Sequence, residues 1–249
     1  MKHISVAGKG GTGKTTLSAL LIRYLQEKAG GAVLAVDADP NANLHEALGL
    51  SVDSTVADIL VGAKTSSQVP SGMDRPSFIE YELHTALVES RGLDLLVMGG
   101  PEGPGCYCFP NEMLKHHVDK LKANYSYLVM DNEAGLEHLS RRIAQDVDLL
   151  LVTSDPTARG IRSAGRVREL VKNLGLSVKR MALVVTMAEE GMEEILESEV
   201  RDTGLELAGF IPRDPLVTDY DLRGRPLVEL PEDSPAWKAV MELAEKLEI

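Results

Sequence analysis

The sequence predicts an α/β fold: a mostly parallel central sheet with helices on both faces, in a single domain spanning residues 1–249. Three observations lead there. Apolar runs of strand length alternate with longer helical patterns, the signature of βαβ units. A chain of 249 residues that is 44% hydrophobic can bury one substantial core. No separate core-sized segment stands apart from the alternating pattern.

The elements follow in order. "HISVAG" is the first strand. The helix "KTTLSALLIRYLQEKAG" presents Leu17, Leu20, Leu21 and Leu25 as a core-facing stripe and stops at Gly30 and Gly31. "AVLAVDAD" is the second strand. From about Ser51 to Arg91 the pattern is least legible: "VGAKTSSQVPSGMDRP" is rich in Ser, Gly and Pro between weak helical patterns, and predicts an irregular insertion over 51–91. The strands "LDLLVMGG", "YSYLVMDN", "DLLLVTSD", "RMALVVT" and "LAGFIP" complete the sheet. Helices "RSAGRVRELVKNLG" and "DSPAWKAVMELAEKLEI" pack over it, the latter capped by Asp233 or Ser234 before Pro235.

Charge narrows the function. With 38 acidic and 26 basic residues the chain carries a formal charge of −12, which disfavours nucleic acid and anionic lipid as partners. No run approaches the ~20 apolar residues of a membrane helix. The start "MKHISVAGKGG" enters a strand without signal-peptide organisation, so a cytoplasmic location is expected. Two cysteines there are expected as reduced thiols, inert or available to metal.

The strongest signal is "GKGGTGKTT", Gly8 to Thr16, between the first strand and the first helix. It matches G-x-x-x-x-G-K-[ST] in the right context, so the domain reads as a P-loop NTPase. Gly8, Gly10, Gly11, Thr12, Gly13, Lys14, Thr15 and Thr16 form the expected phosphate cradle. Their amides make an anion nest, and the helix N-terminus adds its dipole. Lys14 is expected on the β- and γ-phosphates and Thr15 on Mg²⁺. Asp131, ending the apolar strand of "YLVMDNEAG", is expected to hold Mg²⁺, with "NEAG" as the segment that senses the γ-phosphate.

Lys9 is the second lysine of that loop, and "KGGTGKTT" resembles the deviant P-loop of the ParA, MinD and nitrogenase iron-protein group of dimerising ATPases. The resemblance implies ATP hydrolysis, a homodimer, and a Lys9 that reaches the partner's nucleotide. It also implies that Asp39, the second acid of "VDADPNAN", positions water; Asp37 then supports the loop or the metal. Lys9, Lys14 and Asp39 are thus the candidate catalytic residues, and Thr15, Asp37 and Asp131 the candidate Mg²⁺ set. "GFIPRDP" resembles the loop that contacts the base, which adds Pro212, Arg213 and Asp214 to the nucleotide site. Thr186 stands where relatives commonly carry an Asn that reads adenine.

"GGPEGPGCYCFPN" holds Cys106 and Cys108. Thiolates suit zinc, nickel, copper and iron–sulfur clusters, but a structural zinc site wants about four ligands and one chain offers two cysteines. A two-fold axis near the nucleotides would pair two such loops and supply four thiolates. Here the chain is similar to the nickel-insertion accessory ATPases of carbon monoxide dehydrogenase and acetyl-CoA synthase, on "GKGGTGKTT", "VDADPNANL", "GGPEGPGCYC" and "VMDNEAGLEHLSRR". That resemblance implies a metallochaperone that binds Ni²⁺, or Zn²⁺ in its place, between subunits at Cys106 and Cys108, with the dehydrogenase or the synthase as client. A 4Fe–4S cluster bridging the dimer is the redox alternative; the segment "DNEAGLEH" lacks the cysteine of the iron-protein pattern. Arg159, Arg162, Arg166 and Arg168 read as a solvated helix face or a docking surface for an acidic partner, and His116 and His117 as surface histidines. His138 either couples the nucleotide to a partner or is an ordinary helix residue. "WKAVMELAEKLEI" is expected to pack on the domain.

Overall fold

The computed structural model describes residues 1–64, 69–70, 72–100, 108–133 and 146–249. In chain order the elements are β1 (Lys2–Gly8), α1 (Lys14–Tyr24), β2 (Val33–Ala38), α2 (Leu44–Leu48), α3 (Val56–Lys64), α4 (Arg75–Thr85), β3 (Val88–Ser90), β4 (Leu93–Val97), α5 (Cys108–Leu121), β5 (Tyr127–Asn132), β6 (Val147–Ser154), α6 (Ala158–Asn173), β7 (Val178–Ala188), α7 (Met192–Thr203), β8 (Glu206–Pro212), α8 (Pro215–Leu222) and α9 (Pro235–Lys246). The eight strands form one sheet in the order β3-β4-β2-β5-β1-β6-β7-β8. All pairs are parallel except β3 with β4.

Strand alternation divides the core between the two faces. Ile4 and Val6 pack with Leu17, Leu20 and Leu21 of α1 and with Trp237, Val240 and Leu243 of α9. On the opposite face Leu34, Val36, Leu128 and Met130 meet α3, α4 and α5 through Ile59, Phe78, Ile79 and Val118. Ala7, Leu150 and Val152 meet α6 and α7 through Ile161, Val167, Leu196 and Val200. The C-terminal helix packs on the domain as expected: Trp237 is fully buried and Arg23 lies 4.1 Å above its ring. The cap is Ser234, whose hydroxyl accepts from Trp237 N at 3.2 Å.

The segment 51–91 departs from the irregular insertion expected of it, because α3, α4 and β3 lie within it. Asp74 caps α4 by accepting from Ser77 N at 2.9 Å, with proline in the first turn. The apolar residues of this stretch fall in two short groups separated by a Ser-, Gly- and Pro-rich segment, so neither group is long enough to show a clear helical period. Burial against the sheet is what holds these helices. Strand β3 leaves no strand pattern in the sequence: it is three residues long, largely exposed, and pairs antiparallel at the sheet edge.

Candidate functional site

Four neighbouring strands, β2, β5, β1 and β6, deliver their C-terminal ends to one place. Strand β1 runs straight into loop 9–13, and α1 begins at Lys14. Gly13, the residue before α1, has φ 69°, a left-handed conformation that glycine adopts without strain. Gly8 is required for a different reason. A Cβ there would stand 2.3 Å from Thr153 Oγ1 and 2.6 Å from the Thr153 carbonyl oxygen. Lys14 is buried under the loop, its Nζ 3.5 Å from the Lys9 carbonyl. Lys9 is exposed.

The two strand-end acids are direct neighbours, since Asp37 of β2 is in register with Asp131 of β5. Asp131 Oδ2 accepts from the Thr15 hydroxyl at 2.6 Å. Its Oδ1 is buried with no hydrogen-bond partner among the described residues. Burial pushes the Asp131 carboxyl up to about 7, and the charge of Asp37 adds to the rise against the Thr15 hydrogen bond. Asp37 is pushed up to about 6, again chiefly by burial. Its oxygens accept from Asp39 N at 3.1 Å and Leu44 N at 2.9 Å, so it anchors the turn after β2. An orphaned carboxylate oxygen beside a threonine hydroxyl at a helix N-terminus is a donor set that fits Mg²⁺. Asp39 is half-buried, and its Oδ1 accepts from Asn41 N at 2.9 Å. Asp39 Oδ2 has no hydrogen bond among the described residues.

Beside the loop lies a cavity of ≈ 240 Å³. Gly11, Gly13 and Thr16 form one wall, and Pro212, Arg213 and Asp214 another. Leu17, Leu20 and Ile211 supply an apolar floor. An anion cradle opening onto an apolar slot is the shape a nucleoside phosphate requires.

Residues 4–227 match the CobQ/CobB/MinD/ParA nucleotide-binding domain. The chain belongs to that nucleotide-binding family. It is 41% identical over 247 residues to an uncharacterised ATP-binding protein of Methanocaldococcus jannaschii, covering 98% of this chain and 97% of that one. It is 30% identical over 252 residues to the carbon monoxide dehydrogenase accessory protein CooC of Rhodospirillum rubrum, covering 94% and 91%. Among solved structures, the MinD cell division protein of Aquifex aeolicus superposes with a TM-score of 0.73 at 29% identity, covering 100% of this chain and 97% of that one.

In this CobQ/CobB/MinD/ParA-type P-loop ATPase two cavity residues direct their polar atoms to the protein's own backbone or side chains. Thr186, in the position expected to read the base, lines the cavity, yet its hydroxyl faces the carbonyls of Thr12 at 3.0 Å and Ser154 at 3.1 Å. Asp214 also lines the cavity, but its carboxylate works as a double cap. Oδ1 accepts from Leu216 N at 2.9 Å, while Oδ2 accepts from the Ser234 hydroxyl at 2.6 Å and Ala236 N at 3.1 Å. Asp214 therefore fixes the cavity wall and ties α8 to α9. Thr153 and Asp221 were not anticipated: the first meets the loop only through strand register, and the second lines the cavity from the exposed last turn of α8.

Cys106 lies outside the described residues, as do 134–145, which include His138; of Cys108, only the backbone that opens α5 is described. Among the described residues no group of three or more His, Cys, Asp or Glu could hold a metal ion. The arginines of α6 form a partly paired face, with Arg162 2.8 Å from Glu199 and Arg168 donating to the Thr203 carbonyl at 3.4 Å. His117 corrects the surface reading. It is 2% exposed, its ring meets His84 edge-on at 5.0 Å, and burial lowers its pKa to about 4. No helix among the described residues is long and apolar enough to cross a membrane.

Proposed function

We propose that this protein is a dimerising ATPase that carries nickel at an intersubunit site made by Cys106 and Cys108 and delivers it during maturation of carbon monoxide dehydrogenase. The ATPase part rests on one observation above others: Asp131, in register with Asp37, shares a hydrogen bond with Thr15 at the mouth of the phosphate loop. The nickel part is supported by the C-x-C pair and by the likeness to a carbon monoxide dehydrogenase accessory protein along 94% of the chain.

The residues divide the work. Lys14 and the amides of loop 9–13 neutralise and orient the triphosphate. Thr15 and Asp131 would hold Mg²⁺, which when bound offsets the charge on the phosphate oxygens. Asp39, with a carboxylate oxygen to spare, orients the attacking water. Lys9 is exposed at the loop tip, and its Nζ makes no bond among the described residues, so it is available to the nucleotide of a second copy. Pro212 and Arg213 flank the base. Asp37 holds the turn that carries Asp39.

Nickel titration of the purified protein, with and without ATP, tests the assignment. Saturable binding at a stoichiometry of one site per dimer, lost in the C106A/C108A variant while ATP binding persists, is expected. Nickel uptake unchanged in that variant sinks the metal site. An anaerobic preparation with iron and labile sulfide in equal amounts moves the electron-transfer reading ahead. Activation assays on nickel-free dehydrogenase and on nickel-free synthase then identify the client.

A further inference from the structure

Beneath the phosphate loop lie three buried threonines: Thr12, Thr153 and Thr186 are 1%, 2% and 4% exposed. They come from the loop itself, the end of β6 and the end of β7. Their hydroxyls form a directed set. Thr12 Oγ1 donates to the Lys9 carbonyl at 2.7 Å. With that proton used there, the 2.7 Å contact between Thr12 Oγ1 and Thr153 Oγ1 takes Thr153 as donor, the Ala7 carbonyl at 3.3 Å being the longer, competing acceptor for the same proton. Thr186 Oγ1 lies 3.0 Å from the Thr12 carbonyl and shares its proton between that oxygen and Ser154 O. Glycine at position 8 leaves room for the contact between Thr12 and Thr153, because a Cβ would press within 2.3 Å of Thr153 Oγ1 and 2.9 Å of Thr12 Oγ1.

The consequence follows from the planarity of the peptide unit. In a trans peptide the carbonyl of one residue and the N–H of the next point in opposite directions. Tying the Lys9 carbonyl to Thr12 therefore turns the Gly10 N–H the other way, and tying the Thr12 carbonyl to Thr186 does the same for the Gly13 N–H. Those amides belong to the anion nest. Convergent N–H groups of this kind are mutually unfavourable until an anion lies among them. The threonines hold it open before the phosphate arrives, which lowers the ordering cost of binding.

We propose that Thr12, Thr153 and Thr186 are positioning residues that preset the phosphate loop, and that Thr186 in consequence does not select the base. This deepens the nucleotide-site reading above and rests on it. Thr186 lines the cavity, but its hydroxyl is directed to the loop carbonyl and to Ser154 O.

The test compares Mg²⁺-ATP, Mg²⁺-GTP and Mg²⁺-tripolyphosphate, the last having neither sugar nor base, by isothermal titration. The variants are Thr186→Val, Thr153→Val and the conservative Thr186→Ser and Thr153→Ser. Each valine is expected to weaken all three ligands by a common factor of about ten, the scale of one buried hydrogen bond. Each serine is expected to restore binding to within about threefold. The wild-type ATP:GTP affinity ratio stays unchanged in Thr186→Val. Loss of ATP affinity with tripolyphosphate binding intact, or an altered ATP:GTP ratio, overturns the proposal and makes Thr186 a base reader. Undiminished binding in both valine variants overturns it as well. If wild type binds none of the three ligands, the nucleotide site itself is wrong. The Thr153 variants keep the test decisive should Thr186→Val fail to fold, since Thr153 supports the loop from a different strand.

Discussion

Replacing Asp131 by asparagine should make the nucleotide-free protein more stable while abolishing turnover. Asp131 is 1% exposed, and its carboxyl is raised from 3.8 to about 7, first by burial and then by the neighbouring Asp37. At ~1.4 kcal/mol per unit this sets a ceiling of ~4 kcal/mol on the cost of keeping it ionised in the apo fold. Relaxation around the carboxylate brings the expected gain to about 2 kcal/mol. Asparagine keeps the shape and can still accept from Thr15. The sign with pH is definite. Between 3.8 and about 7 the folded state holds a proton that the unfolded state has lost, so this contribution to stability falls as pH rises. The gain in Asp131→Asn is thus near zero at pH 4, grows towards pH 7 and levels off above it. His3 and His117, both lowered by burial from 6.5 to about 4, act oppositely, destabilising the fold as pH falls from about 6.5 towards 4. They are common to both proteins and cancel in the difference. Urea unfolding at pH 5, 7 and 8 with EDTA and no nucleotide measures it. A variant less stable than wild type at pH 8, or a difference that does not change with pH, refutes the reasoning. With Mg²⁺-ATP present the order should invert, because only wild type gains from the ligand.

Other predictions concern the loop and the core. Lys9→Ala should leave ATP binding by the monomer nearly unchanged but reduce turnover on the order of a hundredfold, with ATP no longer shifting the protein to dimer in sedimentation; normal turnover removes the trans role. Gly8→Ala should weaken nucleotide binding and lower the melting temperature, since the new Cβ meets Thr153 backbone at 2.6 Å and overpacking of this kind costs about 1–3 kcal/mol. Trp237→Ala, which empties a fully buried site beneath Arg23, should cost about 3–5 kcal/mol by chemical denaturation without altering the affinity for ATP in protein that remains folded.

The strands that build the site are those whose character is continuous along the chain. β1, β2, β5 and β6 are buried on both faces, so they stand out as strongly apolar runs, and the acids near the ends of β2 and β5 stand out against them. The loop glycines were equally plain. Helices α3 and α4 were not, because α3 is a short apolar run that does not by itself distinguish helix from strand, and the proline of α4 reads as a break until Asp74 is seen capping it. His117 looked like half of an exposed pair; only the packing of α4 against α5 buries one ring and leaves the other exposed.

The sequence by itself determined seven of the eight strands, the phosphate loop and the two carboxylates, because each is encoded by neighbours along the chain: apolar runs, glycine spacing, an acid closing an apolar run. Tertiary structure alone decided what three side chains do. Thr186 turns its hydroxyl to the carbonyl of Thr12, 174 residues away in the chain. Asp214 spends its carboxylate on two helix N-termini 20 residues apart, and Thr153 finds Gly8 only through parallel register. A hydroxyl or carboxylate reads the same in sequence whether it faces a ligand or a backbone dipole. Its partner is chosen by folding, when the nearest unsatisfied group claims it.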